Sequence, residues 1–135
     1  MKSMIWNDDM SVGVKGFDDE HREMMDLLNE LHSAIAGYES DVMITGVFKK
    51  FIECGVTHFA HEEELMDELG YPDAEAHKKE HDDLVIKVNN IYEQYESGKK
   101  AYSLELVLFL KDWMLLHMKV TDTKYTSFFI GKGVK

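Results

Sequence analysis

The chain lacks the ingredients of several large protein classes. One cysteine among 135 residues excludes an internal disulfide and any cysteine-rich zinc site, and it agrees with a reducing compartment. A metal in this protein must therefore be held by nitrogen and oxygen. One proline and a few scattered glycines leave no room for a low-complexity linker. Positive charge is scarce: 15 Lys and Arg face 26 Asp and Glu, for a net charge of -11. Without a basic stripe to neutralise phosphates, nucleic acid and anionic headgroups are poor partners. Long apolar runs are missing too. The longest patch, Leu106 to Leu110, falls far short of a membrane span, and the opening MKSMIWNDDM has no signal-peptide core. The expectation is a cytoplasmic chain of one domain, with no membrane insertion.

Four segments with helical periodicity are present, separated by breaks at Gly37 to Ser40, at Gly70-Tyr71-Pro72 and at Ser97-Gly98. Nothing between them alternates like a strand. The first segment carries Phe17, His21, Met24, Leu28, Leu31 and Ile35 on one face. The second carries Ile44, Val47, Phe51, Cys54, His58, Glu62, Leu65 and Leu69. The third runs through Ala74, His77, His81, Leu84, Val88, Ile91 and Tyr95, with Pro72 expected in its first turn. The fourth begins near Ser103, a suitable N-cap, and carries Leu106, Leu110, Trp113, His117 and Val120. Short connections between amphipathic helices predict an all-α fold, an antiparallel up-down four-helix bundle.

Polar residues sit in these stripes where apolar ones belong. His58 with Glu62, and His77 with His81, are each four apart and so point the same way from their helices. A buried imidazole or carboxylate costs several kcal/mol unless compensated, and a metal ion supplies that compensation. Isolated histidines are more often hydrogen-bonded core residues, so His32 and His61 are assigned no chemistry. Glu63 and Glu64 are read as a solvated face, and Met24, Phe51, Leu84 and Tyr95 as core filler. Sharper motifs fail on spacing. A zincin helix would need a histidine where Leu65 stands, and the Glu-x-x-His pairs of ferritin-like di-iron proteins are absent. Cys54 is one turn before His58, but a core thiol usually behaves as a small hydrophobe.

The set His21, His58-x-x-x-Glu62, His77-x-x-x-His81 and His117-x-x-x-x-Asp122, with the texts HFAHEEELMDELGYP and DWMLLHMKVTDTKY, resembles the hemerythrin family, in particular its single-domain bacterial members. The likeness covers essentially the whole chain. It implies one domain over 1–135, with an arm to about 17, a bundle from about 18 to 126 and a short C-terminal tail. It also implies two iron ions bridged by Glu62, Asp122 and an oxo or hydroxo group. His77, His81 and His117 would complete one ion; His21 and His58 would leave the other a ligand short, open to dioxygen. The implied activity is reversible oxygen binding for storage, delivery or buffering. The alternatives are an enzyme acting on peroxide or nitric oxide, and an oxygen sensor read by a separate partner; no protein client is indicated. Trp113 and Met114 would line the oxygen pocket, where the family more usually reads Trp-Leu. His117 and Asp122 are five apart, about 140° out of register on a straight helix, which predicts a π-type widening or a local distortion between Met118 and Asp122.

Overall fold

A computed structural model describes residues 5–97, 104–118 and 123–134. A short 3-10 turn, Asp8–Met10, leads into α1 (Lys15–Ala36), α2 (Asp41–Leu69), α3 (Ala74–Glu96), α4 (Leu104–Leu116) and α5 (Thr123–Gly131), and no strand occurs among the described residues.

Local chemistry sets most of the helix ends. Ahead of α1, the Asp18 carboxylate accepts from the Ser11 hydroxyl at 2.6 Å and from the Val12 N–H at 2.8 Å. This folds the arm back on the first turn. Ser40 caps α2 by accepting from the Met43 N–H at 3.2 Å, the ordinary N-cap arrangement. Gly70 ends α2 at φ 69°, where a side chain would be strained, and its N–H bonds back to the Met66 carbonyl. Pro72 lies in the turn rather than in the first turn of α3, which begins at Ala74 with Asp73 at the cap position. The left-handed Gly70 has already reversed the chain by then. The N-cap expected at Ser103 lies outside the described residues.

Cross-helix pairs give the directions. Glu20 meets His58 while Glu23 meets Cys54, so α1 and α2 run antiparallel. His81 reaches Glu62 while Tyr95 and Tyr92 reach Phe48, and α2 and α3 do the same. Helix α1 also packs on α4, where Lys111 meets His32. The result is the expected antiparallel bundle.

Its interior has two apolar parts. The larger holds Leu28, Leu31, Phe48, Phe51, Leu110, Met114 and their neighbours. The smaller joins Val12, Val14 and Phe17 to Met66, Tyr71, Tyr125 and Phe129. The second part exists because residues after Asp122 form α5, a helix that the periodicity reading did not place. Thr126 ties it to the arm by donating to the Val12 carbonyl at 2.7 Å. The polar residues of the stripes lie where these two parts meet, since Phe17 of one touches the His58 ring at 5.5 Å and Phe59, beside the other, stacks on His81 at 3.9 Å.

Candidate metal centre

Helix α1 brings His21, α2 brings His58 and Glu62 one turn apart, α3 brings His77 and His81, and the end of α4 brings His117. Each of these six is 5% exposed or less. Their ligand atoms form two groups that share one carboxylate: Glu62 with His77, His81 and His117, and Glu62 with His21 and His58, all within 4.8 Å of one another in each group. Around Glu62 Oε1 the Nε2 atoms of His81, His58 and His77 stand at 3.2, 3.4 and 3.7 Å. Metal–ligand bonds of about 2.1 Å put neighbouring donors about 3 Å apart and opposite ones about 4.2 Å apart, so the spacing fits donors turned toward a cation. Five imidazoles and a carboxylate, with no thiol among them, suit a borderline transition metal such as iron. Two groups sharing one carboxylate fit two ions.

Asp122, expected in this set, lies outside the described residues. The chain is π-helical at His117 and Met118, at the start of the interval expected to widen, and residues 119–122 are not described. Trp113 is half-buried and stacks on the His117 ring at 4.5 Å, with planes 15° apart. Met114 is 1% exposed and belongs to the larger core.

Carboxylates outside the cluster orient its imidazoles. His58 donates from Nδ1 to Glu20 Oε1 at 2.9 Å, and Glu20 Oε2 takes Nδ1 of the exposed His61 at 2.5 Å. With Nδ1 the donor, Nε2 of His58 presents its lone pair inward. Burial pushes the Glu20 carboxyl up, but the interactions with His58, then with His61, outweigh it and hold the carboxyl below its usual range. Glu63 is not simply solvated, as the sequence suggested. Its Oε2 lies 3.3 Å from His81 Nδ1, because Glu63 follows Glu62 on the flank of α2 facing α3. Cys54 donates to Glu23 at 3.5 Å, and burial together with Glu23 raises its thiol pKa. That disfavours the thiolate a Cys-His nucleophile needs.

Two participants escaped the sequence reading. Glu20 carries no signal beyond an acid beside His21. Tyr125 was legible in principle, since Tyr125 and Phe129 repeat the four-residue spacing of a buried helix face and stack at 4.7 Å. Its hydroxyl, wholly buried, donates to Glu62 Oε2 at 2.5 Å.

Comparison with known proteins agrees with this geometry. The family described as the hemerythrin HHE cation binding domain matches residues 12–128. The bacteriohemerythrin of Stenotrophomonas maltophilia is 32% identical over 94% of this chain and 82% of its own length. That of Methylococcus capsulatus is also 32% identical, over 93% and 95%, and myohemerythrin-1 of Phascolopsis gouldii is 29% identical over 90% of each. A crystal structure of wild-type hemerythrin superposes with a TM-score of 0.89 at 29% identity, covering 93% of this chain and 97% of that one.

Proposed function

Because the chain belongs to the hemerythrin family, we propose that it binds dioxygen reversibly at two iron ions, which Glu62 and, by the family resemblance, Asp122 would hold in common with an oxo or hydroxo group. The observation that carries this reading is the sharing of one fully buried carboxylate between two converging sets of imidazoles. His77, His81 and His117 would hold one ion, and His21 and His58 the other. Iron bound here would supply the electrons and the coordination that dioxygen requires.

The residues of the chain do the rest. Glu20 and Glu63 hold the Nδ1 protons of His58 and His81 and so keep Nε2 turned inward. Tyr125 anchors Glu62 through Oε2 and leaves Oε1 facing the imidazoles. Phe17, Phe59 and Trp113 pack on the imidazole rings from outside. Such walls hinder water and proton delivery, which favours holding oxygen over reducing it. The role is accordingly storage, delivery or buffering of oxygen rather than catalysis. A cytoplasmic location is part of the same proposal, and the single free cysteine agrees with it. Among the described residues no helix is long and apolar enough to cross a membrane.

The test is anaerobic loading with ferrous iron, followed by cycles of oxygen and its removal. A visible absorption band should appear and disappear with oxygen over repeated cycles. His77→Ala or His81→Ala should hold fewer than two irons per chain, and full retention by either would overturn the ligand assignment. Steady turnover of peroxide or nitric oxide without a stable oxygenated form would make the protein an enzyme instead.

A further inference from the structure

Between α2 and α3 the structure holds a small cavity of about 30 Å³. We propose that it is a resting site for small apolar gas molecules, dioxygen among them, on their way to the centre; this role rests on the oxygen-binding reading above. Met24, Phe51, Gly55, Phe59, Val88 and Trp113 form its inner walls, and no polar atom faces it. A held water needs two to four polar partners, so a water entering from the rim would find no hydrogen bond at the inner walls. Water and peroxide find nothing to bind there, whereas a molecule held by dispersion alone does.

Its position couples it to the metal ligands. Two of its walls are the rings stacked on the site: Phe59 on His81 at 3.9 Å and Trp113 on His117 at 4.5 Å. Met24 follows His21 by about one turn of α1, and Gly55 precedes His58 by about one turn of α2. The outer rim is formed by Ile52, Val56 and Val85, of which Val56 is 45% exposed. The cavity therefore stands between solvent and the packing around all four of these histidines.

Gly55 shows that the space is not imposed by packing. Glycine inside a helix is less stable than alanine, and here neither the backbone nor crowding requires it. A Cβ at this position would meet only Met24 Cε, at 3.6 Å, an ordinary contact. The helix thus keeps its less stable residue where a side chain would begin to fill the cavity.

Crystals of the iron-loaded protein pressurised with xenon should show a xenon atom bounded by Met24, Gly55, Phe59 and Val88. Gly55→Ala should lower its occupancy, and Gly55→Leu should abolish it. In solution Gly55→Leu should slow oxygen association and dissociation several-fold alike, leaving affinity and iron content unchanged. Gly55→Ala, which adds only a methyl group, should show the smaller effect of the same kind should the leucine variant fail to fold. No xenon in the cavity of the unmodified protein overturns the proposal, and so does loss of xenon with both oxygen rates unchanged. Xenon uptake is read without oxygen, so a missing oxygen band counts against the function, and a missing xenon atom against the cavity.

Discussion

Replacing Tyr125 with phenylalanine removes one hydroxyl and little else. The ring stacks on Phe129 at 4.7 Å and lies edge-on to Phe17 at 5.9 Å, and a phenyl group keeps both contacts. What disappears is the bond from the hydroxyl to Glu62 Oε2, 2.5 Å long and wholly buried. Hydrogen bonds to charged groups contribute about 1.5–3 kcal/mol. Unfolding entropy of about 2.1 cal/mol/K per residue over 135 residues gives about 0.28 kcal/mol/K. The melting midpoint of Tyr125→Phe should therefore fall by about 5–11 °C. Metal-free protein should show the whole effect and iron-loaded protein less of it, because a bound cation also compensates the Glu62 charge. Thermal unfolding followed by circular dichroism, on both forms at equal concentration, measures it. A fall of less than about 2 °C in both, under about 0.6 kcal/mol by the same conversion, would refute the claim that this bond anchors the carboxylate.

Other substitutions test the surroundings. Glu20→Ala leaves His58 Nδ1 without its acceptor, and chelator competition should find iron held about 10–100-fold less tightly; His61→Ala, which touches Glu20 from the solvent side, should do far less. Met114→Leu should slow autoxidation of the oxygenated protein at constant iron content, because a stiffer wall admits water less readily; equal decay, with no sulfoxide at Met114 by mass spectrometry, would leave Met114 as ordinary packing. His32 lies 3.3 Å from the Lys111 ammonium, and burial, then that charge, hold it below its ordinary value of 6.5. A base with a depressed folded value binds its proton more readily when unfolded, so the native state loses stability as pH falls through 6.5 toward that lower value. His32→Gln should therefore gain on the parent chain in denaturant titrations as pH drops from about 7 to about 5; a constant difference would refute it.

The residues that sequence exposed most clearly are those whose burial is periodic. On α1 every member of the stripe from Phe17 to Ile35 is buried, since that helix faces one continuous interior. On α2 the stripe is displaced. Cys54, Leu65 and Leu69 are only half-buried, whereas Phe48, Gly55, Phe59 and Met66, one position further round, are inside. At about 100° per residue the true buried arc is about 120° wide, because α2 packs on α1 with one edge and on α3 with the other. A single row of residues captures only part of such an arc. The imidazoles were legible because a polar group inside an apolar stripe has few explanations. Glu20 and Glu63 were not, since an acid on a charged surface looks ordinary until the helices are brought together; the spacing of Tyr125 and Phe129 marks a buried face but not the bond to Glu62.

The hydrogen bond from Thr126 to Val12 joins positions 114 residues apart. Closing so long a loop is entropically dearer than closing the short turns between α1, α2 and α3, and distant pairings are slow to form. Contact order predicts the sequence of events. His21, His58, Glu62, His77 and His81 would be gathered by neighbouring hairpins, and Tyr125 would reach Glu62 only once α5 meets the arm. On that order a nearly complete set of ligands would stand open to the medium first, and the docking of α5 would shut the door on whatever ion has entered.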